Sequence, residues 1–202
     1  DVQLKDGTWL AGKYGNVASN NTPELNENGT YTVSGIDQMI IFPNTATSNS
    51  FTYEVTVSNI TRSNDEAVIG ICLTDGNNKL TVGCRRWGQI QVCMGAGTNE
   101  QNNAWYYNGV NTTDKVVYKF VVDKVNASVS FYIGSSLIFA FTKDAFTVFD
   151  GISKLDWGDS LTSVYAEKIA GFFAEGAKIA VGINGAFKYS ATATYACSLS
   201  DN

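Results

Sequence analysis

Between Phe51 and Met94 the chain reads as three or four consecutive β-strands, and no other stretch constrains the fold as much. In FTYEVTVSNI the residues Phe51, Tyr53, Val55 and Val57 alternate with Thr52, Glu54, Thr56 and Ser58, the two-residue period of a strand buried on one face. AVIGICL (Ala67 to Leu73) is apolar on both faces, which suits a central strand covered from both sides. Asp75-Gly76-Asn77-Asn78 is turn chemistry. KLTVGCRRWGQIQVCM then folds back through a tight tip at Arg85-Arg86-Trp87-Gly88. In that hairpin Thr81, Arg85, Gln89 and Gln91 fall on one face, and Leu80, Val82, Ile90 and Val92 on the other. A face of Arg and Gln beside a Trp can grip a sugar, and it is also what a soluble sheet exposes.

The rest of the chain continues the pattern. Short strands are expected around Trp9-Leu10, in GTYTVSG, and over Asp37 to Phe42, the last ended by Pro43-Asn44. Gly95 to Asn111 reads as a long polar loop with Trp105-Tyr106-Tyr107 inside it. KVVYKFVVDK, ASVSFYIGS and SLIFAFT form a meander with turns at Lys124-Val125-Asn126 and Gly134-Ser135-Ser136. Two final strands, Lys178–Ile183 and Phe187–Ser198, flank Asn184-Gly185, the strongest short hairpin signal. One segment breaks the rhythm. In Ser160 to Glu175, Leu161, Val164, Tyr165, Ile169, Phe172 and Phe173 recur at helical spacing, with Asp159 or Ser160 as N-cap and Gly176 as the stop. Repeats and linkers are lacking, so residues 1–202 are expected to form one domain: an all-β, two-sheet antiparallel jelly-roll sandwich with one short helix near residues 160–175.

Composition narrows the function classes. At 202 residues roughly 70% of the unfolded surface can be buried, so neither metal nor disulfide is needed to hold the core. Only 16% of residues are charged and the net charge is −5 without a basic block, which argues against nucleic acid or an anionic membrane as partner. No apolar run approaches a membrane span, so no membrane insertion is expected. Scarce charge with abundant Thr, Ser, Asn and Gly is the balance of an extracellular β-protein, secreted or at the cell surface. The start at Asp1 without Met suggests a mature protein or a module of a larger one. Cys72 and Cys93 are expected to flank one strand from opposite sides, roughly 9–10 Å apart, too far for a bridge. Free buried cysteines are the first reading of all four, with a Cys84–Cys197 or Cys93–Cys197 bridge as the alternative.

The chain resembles the concanavalin A-like lectin and laminin-G-like superfamily. The resemblance is carried by Trp9-Leu10, NGTYTVSG (Asn28 to Gly35), FTYEVTV…AVIGICLTDG…KLTVGCRRWGQIQV, the YKFVVD…SVSFYIGSSLIFAFT meander and AKIAVGIN. It covers most of the chain as a pattern without a signature motif. It implies a jelly roll and favours glycan binding, and it transfers no site residue.

Histidine is absent, which removes Ser-His-Asp and Cys-His machinery and most catalytic metal sites. Two-carboxylate glycosidase chemistry needs only Asp and Glu. The glycanases of this fold carry a Glu-x-Asp-x-x-Glu or Glu-x-Asp-x-Glu strand, whereas here Asp65-Glu66 are adjacent and Glu54 stands alone. The expectation is therefore that the chain is not an enzyme. Sugar binding needs an aromatic face to stack on a pyranose and planar polar groups for its hydroxyls. Arg85, Trp87 and Gln89, with Asn103, Trp105, Tyr107 and Asn108, meet both needs. No cofactor is expected, with structural calcium on Asp75 and Asn77 as the alternative; six or more oxygens are wanted, and neither this turn nor Asp156/Asp159 supplies them alone. Five N-x-S/T sequons (Asn20, Asn28, Asn59, Asn111, Asn126) would take glycans in a eukaryotic secreted protein. The leading expectation is a non-catalytic carbohydrate-binding module whose partner is a glycan or polysaccharide. The alternative is a structural or adhesive sandwich that binds a protein.

Overall fold

The computed structural model of the protein describes residues 2–3, 8–11, 24–36, 38–96, 99–149, 151–158, 163–187 and 189–202. Along the chain these form β1 (Val2–Gln3), β2 (Thr8–Ala11), β3 (Glu24–Leu25), β4 (Tyr31–Gly35), β5 (Gln38–Thr47), β6 (Phe51–Arg62), β7 (Val68–Thr74), β8 (Asn78–Cys84), β9 (Gln89–Ala96), β10 (Asn99–Tyr107), β11 (Val116–Asp123), β12 (Ser128–Ile133), β13 (Ser136–Thr142), β14 (Phe146–Val148), β15 (Ser153–Gly158), α1 (Ser163–Phe172), β16 (Ile179–Phe187) and β17 (Ala191–Asp201). One antiparallel sheet runs β14-β13-β12-β11-β6-β17-β4-β3, with β1 on β17; the other runs β15-β10-β9-β8-β7-β16-β5-β2.

The period-2 strands bury the residues their sequence selects. Phe51, Tyr53, Val55 and Val57 of β6 and Tyr118, Phe120 and Val122 of β11 face inward, against Ile69, Ile71, Leu73, Leu80, Val82, Ile90 and Val92 of the second sheet. Phe131 and Phe139 stack at 5.1 Å between ring centroids. β7 is buried along nearly its whole length, between β8 and β16, as its two-faced apolar run requires. Three tyrosines of the first sheet reach backbone carbonyls of the second: Tyr53 Oη donates to Gly182 O (3.0 Å), Tyr118 Oη to Ile69 O (2.6 Å), and Tyr195 Oη to Asn184 O and Gly185 O (3.1 and 3.0 Å). A buried hydroxyl without such a partner would cost a few kcal/mol, roughly 1–3. These bonds fix the offset between the two layers.

The helix lies within the expected segment. Ile169 and Phe172 are buried, and α1 packs on β8, β9 and β13. Lys124 Nζ donates to Phe172 O (2.7 Å) and Ala177 O (3.1 Å), satisfying carbonyls that a helix end leaves open. Gly176 takes φ +75° in the turn beyond. The proposed N-caps Asp159 and Ser160, the side chains of Trp9, Asp156 and Trp157, and the Asn20 sequon lie outside the described residues.

Three local expectations are corrected. Asn184-Gly185 is not a hairpin turn: β16 continues to Phe187, while β17 crosses to the other sheet and pairs with β6 and β4. A register shift between Asn184 and Phe187 leaves the Asn184 and Gly185 carbonyls to Tyr195. The strand over 37–42 does not end at Pro43. Phe42 pairs with Val181 and Thr47 with Ile179, so the proline sits in a bulge, where no ladder donor is needed. Thr45 Oγ1 braces it, donating to Phe42 O (2.5 Å) and accepting from Val181 N (3.1 Å). Most of the supposed loop 95–111 is the strand β10, paired with β9. Its polar first half hid the alternation of Ala104 and Tyr106 inward with Trp105 and Tyr107 outward.

All four cysteines are buried thiols outside any disulfide, and Cys72 and Cys93 flank Thr81 across β8. Burial pushes the Cys84 and Cys197 thiols up to about 12 from 9.0. Since the folded pKa is the higher, unfolded thiols lose their protons first. Their contribution to stability is full below about pH 8.5 and declines as pH rises above it. Tyr53, Tyr118 and Tyr195, raised by burial, act in the same direction above about pH 10. Thermal melts should therefore fall steadily above pH 9. A disulfide reagent at pH 8 should titrate none of the four thiols in the native protein and all four in denaturant. Rapid native titration of even one thiol would contradict this core.

Candidate functional site

The β8–β9 hairpin tip is one turn of 3-10 helix, Arg86–Gly88, closed by Arg85 N donating to Gln89 O at 2.9 Å. Inside it Trp87 has φ 66° and ψ 25°, the left-handed region, and is 53% exposed. That conformation costs a non-glycine residue roughly 1–2 kcal/mol. Gly88, at φ +80°, must be glycine, because a Cβ would collide with the Val110 carbonyl and Asn108 Oδ1.

The tip is tied to the segment after β10. Asn108 N donates to Gly88 O (3.3 Å), and the fully buried Thr112 hydroxyl donates to Arg85 O (2.6 Å) while accepting from Gly88 N (3.3 Å). Beneath lies Arg62, at the end of β6. Its Nε donates to Ala67 O (3.1 Å), Nη1 to Thr112 O (3.2 Å) and Thr113 O (3.4 Å), and Nη2 to Cys84 O (3.4 Å). One guanidinium thus ties three stretches of backbone to the end of β6. Burial lowers its pKa from the ordinary arginine value, against the opposing pull of Tyr118 and Cys84.

Strand pairing then brings part of the candidate set together. Gln89 lies opposite Tyr107, and Gln91 opposite Trp105. The Arg85 guanidinium sits 4.2 Å above the Trp105 ring, with Nη2 4.0 Å from Glu66 Oε2. Burial lowers the Arg85 pKa and Glu66 opposes the shift. Arg86 lies 4.7 Å over the Trp87 ring and pairs with Asp65 at 2.9 Å. Arg62, Arg85 and Arg86 are all the arginines in the chain, and all three meet here.

Of the residues singled out from sequence, Arg85, Trp87, Gln89, Trp105, Tyr107 and Asn108 come together at this end. They are not equally open. Trp87 and Tyr107 (43%) present exposed rings, whereas Trp105 (5%) and Arg85 (9%) are buried, and Trp105 has one face taken by the guanidinium. Thr81 and Gln91 are likewise buried rather than displayed. Asn108 Oδ1 accepts from Val110 N (3.1 Å), so it shapes its own turn. Asn103 lies opposite Cys93 on β10, and its side chain is outside the described residues. Arg62, Asp65, Arg86 and Thr112 were not among the sequence candidates. The pooling of every arginine into 62–86 was the signal that could have pointed to them.

The proposed calcium turn is occupied by its own hydrogen bonds. Asp75 Oδ1 accepts from Asn77 N (2.8 Å) and Asn78 N (2.6 Å), and Oδ2 from Asn78 Nδ2 (3.3 Å). Among the described residues no group of three His, Cys, Asp or Glu could hold a metal ion, and no helix is long and apolar enough to cross a membrane.

Two antiparallel sheets in this order form a jelly roll of the concanavalin A-like fold. No protein-family model matches the chain, and no curated protein matches it either. Solved structures do. The carbohydrate-binding module CBM66 from Bacillus subtilis superposes with a TM-score of 0.53 at 12% identity, over 93% of this chain and 91% of that one. A Bacillus licheniformis β-glucanase matches with a TM-score of 0.53 at 12% identity, over 99% and 96%. A glycosyl hydrolases family protein 16 from Mycobacterium smegmatis matches with 0.53 at 10%, over 94% and 91%.

These neighbours overturn the expectation that the chain is not an enzyme: the fold is shared with glycoside hydrolases and is compatible with such activity. The missing Glu-x-Asp spacing along one strand was too narrow a criterion. Pairing across strands can bring together carboxylates that are far apart in sequence.

Proposed function

We propose that the chain binds carbohydrate at the β8–β9 tip and the adjoining end of β10. The observation that carries this reading is Trp87, a large, exposed ring held in left-handed backbone next to exposed Tyr107. Backbone strain maintained by its surroundings concentrates at ligand sites, and two exposed aromatic rings suit the apolar faces of pyranose rings. In this reading Trp87 and Tyr107 are the stacking surfaces. Gln89 serves the sugar hydroxyls, and Arg85 and Trp105 form the supporting layer. The site works outside the cell, as a module of a secreted or surface protein; the low charge and the carbohydrate-active neighbours support that placement.

The test is a glycan array carrying β-glucans, fructans and mucin O-glycans. Binding to at least one class is expected, with acrylamide quenching of the Trp87 fluorescence reduced in the complex. Silence across the array at high protein concentration would remove this reading and move weight to a protein partner.

A further inference from the structure

We infer that the ligand is a neutral glycan chain of several residues, which runs from the Trp87 rim past Arg86 into a hydroxyl-lined groove beside Arg62. This inference rests on the carbohydrate-binding reading above.

Two open clefts lie side by side at this end of the sandwich. The first, of about 240 Å³, is lined by Ile60, Thr61, Arg62, Asp65, Arg86 and Thr113. The second, of about 250 Å³, is lined by Ser34, Thr61, Arg62, Ser63, Ser190 and Thr192. Thr61 and Arg62 border both, so the two are neighbours across one wall. Arg86 joins the first cleft to the rim, since its guanidinium also covers the Trp87 ring. The path from stacking ring to second cleft therefore passes through shared residues at every step.

The chemistry of the groove is hydroxyl chemistry. Ser34 on β4, Thr192 on β17 and Thr61 on β6 stand in register across three neighbouring strands. They form a row at roughly 4.8 Å spacing. Ser34 Oγ and Thr192 Oγ1 are hydrogen-bonded at 2.7 Å and exposed, each keeping further donor or acceptor capacity for an incoming hydroxyl. Ser63 and Ser190 add two more, joined through their backbones by Ser63 N donating to Ser190 O at 3.0 Å. The charged groups at the groove already have partners: Asp65 pairs with Arg86, and the Arg62 N–H groups are directed to four backbone carbonyls. A uronate or sulfate would bring its charge beside the Asp65 carboxylate, whereas a neutral sugar only adds to the hydroxyl network. A single sugar at Trp87 could not use the second cleft, and a chain could.

Calorimetry on neutral ladders of gluco-, xylo- and fructo-oligosaccharides, two to six units long, with an oligogalacturonate ladder beside them, tests this. For the neutral ladder that binds, affinity should rise at least tenfold from two to six units. In Thr192→Trp and in Ser190→Trp, each checked by thermal melt, the ratio of hexa- to disaccharide affinity should fall to near one. Thr56→Trp, on β6 outside the groove, should keep the tenfold ratio. A ratio that survives both groove variants, no gain with length, or tightest binding of the galacturonate ladder would overturn the inference. Disaccharide binding that depends on Trp87 but shows no length gain removes the groove alone. Silence from every ladder and from the array removes the carbohydrate reading with it.

Discussion

Replacing Trp87 with glycine should weaken glycan binding about 5- to 150-fold, the equivalent of roughly 1–3 kcal/mol for one lost stacking ring, while the fold stays as stable as the parent. The separation of the two effects comes from the backbone. At φ 66° a tryptophan carries the cost of the left-handed region, which glycine does not. Against that relief stands the loss of the exposed contact with Arg86, roughly 0.5–1 kcal/mol, and the greater freedom of glycine in the unfolded chain. The terms oppose one another, and the net change should stay within about 1 kcal/mol. An ordinary core tryptophan cannot be removed so cheaply: Trp105→Ala should cost roughly 3–5 kcal/mol. Calorimetry and a thermal melt on Trp87→Gly decide the matter. Binding within a factor of two of the parent would place the site elsewhere, and a melt lowered by more than about 5 °C would show that the ring holds the fold together.

Arg62→Met should lower stability by about 3 kcal/mol, or about 6–12 °C in melting temperature for a domain of this size. The methionine fills part of the volume but leaves the carbonyls of Ala67, Cys84, Thr112 and Thr113 without the charged donor they share. Lysine should not rescue it, because one ammonium cannot serve carbonyls spread around a planar fork. The same change should weaken ligand binding, since Thr112 holds Arg85 and Gly88 in place. By contrast Arg86→Met, at an exposed ion pair, should cost less than about 1 kcal/mol. A melt of Arg62→Met within 2 °C of the parent would refute the account of Arg62 as the brace of this end.

Much of the sandwich was legible because burial on one face writes itself into period 2. Phe51 to Ser58, Ala67 to Leu73 and the meander from Val116 to Thr142 all occupy the strands their patterns imply. Local rules failed where distant partners decide. Asn184-Gly185 has hairpin chemistry, yet Gly70 and Met39 pair with Asn184 and hold the backbone extended. Pro43 stops a ladder only if its position needs a donor, and a bulge removes that need. At the site, Arg85 and Gln89 meet Trp105 and Tyr107 through the pairing of β9 with β10, which the reading of 95–111 as a loop did not contain. Which rings are open was not legible, because exposure depends on Arg85 stacking on Trp105 and on the left-handed turn at Trp87. Arg62 was hidden for a related reason: a lone arginine after a strand looks like a solvated charge until carbonyls from three separate stretches of backbone converge on it.

The strand order also sets a timetable for the chain as it is made. β17 lies between β6 and β4, in the middle of the first sheet, although it is built from residues 191–201. Until those residues leave the ribosome, β6 has β11 on one side and an open edge on the other. The alternating face of that twelve-residue strand waits, unpaired along one side, while more than half of the protein is synthesised after it. An exposed edge of this kind invites pairing with another chain. Glu54, pointing outward from the middle of β6, is placed where a charge discourages such pairing.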